Sequence, residues 1–95
     1  MITVTGPLWL WGGEKGTWHF VTVPKEQSAE IHAHCLALMR GFKSARVEAT
    51  INGVSWRTSI FPVKSGGYFL PVKKEVRCRA RIDAGDEVTV VLELL

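Results

Sequence analysis

The sequence has only two cysteines, Cys35 and Cys78, too few for a disulfide scaffold and not spaced as a metal or redox motif. Both are read as small packing residues. No apolar run approaches the ~18 residues that a membrane-spanning helix requires, so no membrane association is expected. The N-terminal Met1-Ile2-Thr3-Val4-Thr5 has neither the basic stretch nor the apolar core of a signal peptide, which reads as a mature, cytoplasmic chain. Charge of one sign is also in short supply. Twelve Lys and Arg against nine Asp and Glu give a net charge of +3, well short of a dedicated nucleic-acid binder.

What is present describes one folded domain spanning residues 1–95. An apolar fraction of 46% with 22% charged residues is ordinary for a globular protein. A chain of this length buries roughly two-thirds of its unfolded surface.

The clearest local element is a hairpin. Over residues 44–51, Ala45, Val47, Ala49 and Ile51 alternate with Ser44, Arg46, Glu48 and Thr50, the period of a half-buried strand. Asn52-Gly53 follows, a dipeptide suited to the two positive φ angles of a type I′ turn. The turn fixes the return strand so that Ile51 pairs with Val54, Ala49 with Trp56, Val47 with Thr58 and Ala45 with Ile60. Glu48 then faces Arg57 on the other side.

From Lys25 to Met39 the apolar positions Ile31, Cys35 and Leu38 recur at helical spacing. Pro24 fits the helix start, and Gly41 a left-handed residue just past its end. Residues 2–11 read as a strand with Ile2, Val4, Leu8 and Leu10 on one face and a bulge or edge at Gly6-Pro7. Residues 17–23, 68–72 and 87–94 are further strands, and Val72, Val76 and Ala80 mark a short helix. The order is β-β-α-β-β-β-α-β, which predicts a mainly β fold: a small closed barrel of about six or seven strands with one long and one short helix. Trp18–Phe20, Val23-Pro24, a helix and strand 44–51 parallel Tyr68–Leu70, Pro71, a helix and strand 87–94. This is the signature of an internal pseudo-two-fold repeat.

The ordered set Trp18-His19-Phe20, Val23-Pro24, Val47 through Gly53, Trp56 to Ser59, Pro62, Gly67-Tyr68, Leu70 to Lys74, Val76-Arg77 and Gly85-Asp86 resembles a bacterial domain-of-unknown-function family. That domain sometimes precedes a bacteriocin-protection (YdeI/OmpD-associated) domain. The resemblance implies a double-split β-barrel and no established activity. The stretch from Leu70 to Val88 also looks like the half-barrel of AbrB/MazE-type DNA-binding proteins. It departs from them in carrying Arg79, Ala80 and Arg81 where small residues and a glycine stop the helix.

Several residues invite a functional reading. On a helix, Lys73, Arg77 and Arg81 form one row, beside Lys74, and could hold phosphates or another anion. The plainer reading is a solvated face with Glu75 pairing Arg79. His32 and His34 are two apart, roughly 200° around their helix, so they cannot share an ion, and the sequence has no second Cys/His cluster to complete a tetrahedral site. Gly12 to Thr17 has the wrong order for a phosphate loop. No cofactor is expected, and no triad or nucleophile elbow is visible. Trp9, Trp11, Trp18 and Tyr68 are the aromatic candidates. Trp9 and Trp11 either mark a partner surface or, the preferred expectation, lie beneath the long helix. Together these residues favour a non-catalytic module for an anionic small molecule, peptide or protein partner. Nucleic-acid binding through 73–81 is the alternative, and an enzyme of unknown reaction the less favoured third.

Overall fold

The computed structural model describes residues 1–13, 16–37, 44–64 and 66–95. Its elements are β1 (Ile2–Gly13), β2 (Gly16–Val23), α1 (Lys25–Ala37), β3 (Ala45–Ile51), β4 (Val54–Pro62), β5 (Tyr68–Pro71), α2 (Lys74–Ala80) and β6 (Glu87–Leu94). The expected end of the first helix, with Leu38 and Gly41, lies outside the described residues, as does the centre of the β1–β2 turn.

Six strands close into a barrel in the order β1-β2-β5-β4-β3-β6, with every neighbouring pair antiparallel. Exchanging β1 with β4, β2 with β5 and β3 with β6 returns the same ring. The topology is therefore two copies of a strand-strand-helix-strand unit, and the repeat expected from the sequence extends to β1 and β4. Each helix links the last two strands of its unit, so α1 lies at one end of the barrel and α2 at the other.

The hairpin register follows the alternation and the turn. Ala45, Val47, Ala49 and Ile51 face Ile60, Thr58, Trp56 and Val54. Asn52 and Gly53 take φ of 50° and 80°, the positive pair that a type I′ turn requires. Arg57 Nε lies 3.4 Å from Glu48 Oε1 on the solvent side, worth a few tenths of a kcal/mol. Inward positions from all six strands, among them Val4, Leu8, Val21, Val47, Leu70 and Leu92, are wholly buried.

Gly6 and Pro7 form no bulge. β1 pairs residue by residue with β6 through Pro7 and with β2 from Leu8 onward, so the dipeptide marks a change of partner at the barrel's corner. Leu10 keeps the inward parity but is exposed, because β1 has by then run past the core.

At the α1 end, the Ser28 hydroxyl donates to the Pro24 carbonyl at 2.7 Å while Ile31 and Cys35 enter the core. Gly67 is required here, because a side chain at this position would collide with the Val23 carbonyl oxygen. At the α2 end, Val72, Val76 and Ala80 are buried in a row, as the sequence predicts. The helix also stops without its expected glycine: Arg81 itself adopts the left-handed conformation, φ 58° and ψ 48°, and its N–H approaches the Cys78 carbonyl. Glu75 and Arg79 do not pair; the ion pairs among the described residues are Glu48–Arg57 and the Met1 amino group with Glu30. No described helix is long and apolar enough to cross a membrane.

Candidate functional site

Side chains on a barrel strand alternate between core and outside, and outward positions are ordinarily polar. The β1-β2-β5-β4 side breaks that pattern. Trp9 and Trp11 of β1, Trp18 and Phe20 of β2, Phe69 of β5 and Phe61 of β4 line one apolar groove of about 370 Å³. Strand register brings them together: Trp9 faces Phe20, Trp11 faces Trp18, and Phe69 faces Phe61.

The rings pack as a connected set. Trp9 sits edge-on to Phe69 with centroids 4.9 Å apart and tilted against Phe20 at 5.1 Å. Phe20 and Phe69 are 5.5 Å apart. Trp18 extends the set from Phe20 at 6.4 Å with planes only 8° apart. The Trp9 indole N–H donates to Thr22 Oγ1 at 2.9 Å, which satisfies its one polar group and fixes the ring. Trp9, Phe20 and Phe69 are half-buried by one another, whereas Trp11 (51%), Trp18 (54%) and Phe61 (48%) remain open to solvent.

The expectation that the long helix covers Trp9 and Trp11 is overturned. α1 lies at the barrel end that β1 leaves from, where Gln27 Nε2 donates to the Thr3 carbonyl and Ser28 to Pro24. Trp9 and Trp11 stand toward the other end of β1. With both helices spent on the barrel ends, no described element covers the aromatic side.

Lys73 is an exposed residue two positions past the end of β5. The Val72 N–H donates to the His19 carbonyl at 2.9 Å, which carries the β2–β5 register one residue past β5. Lys73 is extended (φ −68°, ψ 156°), so continuing that register would set it next after Phe69 and Pro71, level with Trp18, although it is not part of the groove's lining.

The other candidate cations form a separate concavity. Lys74, Arg77 and Arg81 line about 470 Å³ at the α2 end with Cys78, Ile82 and Asp83. Arg77 Nη1 also donates to the Val72 carbonyl at 3.2 Å. His19, between Trp18 and Phe20 in sequence but on the opposite face of β2, lies within the field of this cluster. Desolvation, and then the Arg77 guanidinium, lower its pKa, while Asp83 acts weakly against them. Its Nδ1 is buried with no hydrogen-bond partner among the described residues.

Tyr68 stands apart from the tryptophans. It points inward at the α1 end and is buried, and desolvation together with the Cys35 thiol pushes its hydroxyl pKa upward. It borders a third cavity, about 440 Å³, with Lys25, Ser28, His32 and Lys64.

Trp9, Trp11 and Trp18 are thus gathered into one surface and Lys74, Arg77 and Arg81 into a different one, while Lys73 lines neither. Phe20, Phe61 and Phe69 belong to the aromatic surface but are not among the candidate site residues read from the sequence. Phe20 was within reach, because it shares Trp18's parity on one strand. Phe61 and Phe69 needed the closure order, since nothing in the chain states that β5 inserts between β2 and β4.

The chain belongs to the family described as domain of unknown function (DUF1905), which matches residues 5–92. That span takes in every residue of the aromatic surface and of the basic segment. No curated protein matches this sequence.

Proposed function

We propose that this domain is a non-catalytic binding module whose working surface is the aromatic side of the barrel. Its ligand or partner carries a flat apolar group beside a negative charge. The observation that carries this reading is the convergence of six aromatic rings from four strands on a face that no other described element covers. Leaving such a surface in water forfeits burial worth about 25 cal/mol per Å² of apolar area, so apolar patches of this kind mark interaction sites. Lys73, which an extension of the β2–β5 register would set level with Trp18, supplies the cation in this reading.

Anilinonaphthalene sulfonate, a flat aromatic anion, is a suitable probe. Its fluorescence is expected to rise on titration with the folded protein. Trp11→Ala with Trp18→Ala should weaken binding by roughly tenfold or more, and Lys73→Glu should weaken it further through loss of the charge contact. Absence of binding, or binding indifferent to these substitutions, overturns the reading.

A second reading, a nucleic-acid duplex held by the 73–81 segment, is favoured by one observation: Lys74, Arg77 and Arg81 line one concavity. Asp83 in the same lining and the Arg77–Val72 hydrogen bond weigh against it.

A further inference from the structure

We infer that the anionic ligand of the aromatic face is single-stranded nucleic acid, its unpaired bases laid against Trp11 and Trp18 and its phosphates beside Lys73. This rests on the aromatic face being the binding surface.

Three features favour this occupant. First, the open rings present faces. Trp18 and Phe20 lie within 8° of parallel with centroids 6.4 Å apart, and Trp18 is more than half exposed, so a planar base can be laid against it. A duplex turns base edges and phosphates outward and offers no free base face, so only unpaired bases use such a platform. Second, charge is distributed to suit a polyanion. The strand carboxylates among the described residues, Glu48, Glu87 and Glu93, lie on β3 and β6. None occupies a described outward position of β1, β2, β4 or β5. Third, Lys73 is followed by Lys74 on α2, so the cations lead away from the rings rather than standing among them. Phosphates can then track along the edge while bases reach the centre.

Competing ligands fit less well. A sugar needs polar side chains for its hydroxyl groups, and the groove is lined by aromatic residues alone. An uncharged apolar protein segment would leave Lys73 without a role. Four strands about 4.8 Å apart give a platform roughly 14 Å across, suited to a short run of nucleotides.

The test uses the full chain and a labelled oligothymidylate of about 12 nucleotides, followed by anisotropy and tryptophan quenching across a salt series. Binding with quenching is expected, with the same sequence as a duplex bound at least several-fold more weakly. Trp11→Ala with Trp18→Ala should weaken binding roughly tenfold or more, Trp18→Phe should retain most of it, and Lys73→Gln should reduce the salt slope by about one. Both tryptophans are more than half exposed, so truncation leaves the core intact, which a thermal melt verifies. No binding at low salt overturns the inference, as does duplex binding of equal strength that ignores the tryptophans. If anilinonaphthalene sulfonate still binds in a tryptophan-dependent way while the oligonucleotide does not, the nucleic-acid assignment falls and the binding face stands. If neither binds, both fall.

Discussion

The Asn52 side chain donates from Nδ2 to the Ala80 carbonyl oxygen at 2.9 Å, tying the β3–β4 turn to the last residue of α2. Asn52 thus has two roles: it accepts a positive φ, and it satisfies a carbonyl at the helix end that has no partner within the helix. Asn52→Gly keeps the turn conformation and removes only the second role. It is expected to destabilise the fold by about 1 kcal/mol, read by chemical denaturation. Unchanged stability would show that the turn and α2 are not coupled.

Arg81 holds a left-handed conformation in which a glycine carries no Cβ penalty. Arg81→Gly is therefore expected to stabilise the protein by about 0.5–1 kcal/mol, net of the extra freedom that glycine gains when unfolded. A loss of stability in the denaturation curve would mean that the arginine side chain contributes more than its backbone conformation costs.

Desolvation and the Arg77 charge hold the pKa of His19 below the ordinary 6.5, with Asp83 opposing. The folded state thus disfavours protonation, and the unfolded chain binds the proton more readily. The associated stability is fully present above pH 6.5 and is lost as pH falls through the lower, folded-state value. Following the His19 ring protons by NMR should give a midpoint below 6.5, raised by Arg77→Gln and lowered further by Asp83→Asn. A wild-type midpoint at or above 6.5 would contradict the assigned environment.

The sequence carried the β3–β4 hairpin to the residue, because a period-two pattern and Asn52-Gly53 leave one register that buries Val47, Ala49 and Ile51 together. It also carried the element order, the buried row of α2 and the repeat. It did not carry the placement of α1. A helical pattern with Ile31 and Cys35 on one face states that the helix covers something, and only the link from β2 to β3 across one end of the barrel states what. The same limit applies to the site. Trp9, Trp11 and Trp18 were visible as an excess of aromatic residues, but their union with Phe61 and Phe69 depends on β5 pairing between β2 and β4. The basic segment read as one stripe divides in three dimensions, with Lys73 on the sheet's extension and Arg77 and Arg81 on a separate concavity.

The aromatic face as the binding surface is tested most directly by recording amide and indole N–H resonances while anilinonaphthalene sulfonate is added. The indole signals of Trp11 and Trp18 should shift, with the amides of Phe20, Phe61, Phe69 and Lys73, while the Trp56 indole, packed against the core on another strand face, stays in place. Shifts gathered instead around Lys25, His32 and Lys64, or around Arg77 and Arg81, with Trp11 and Trp18 unmoved, would contradict the account.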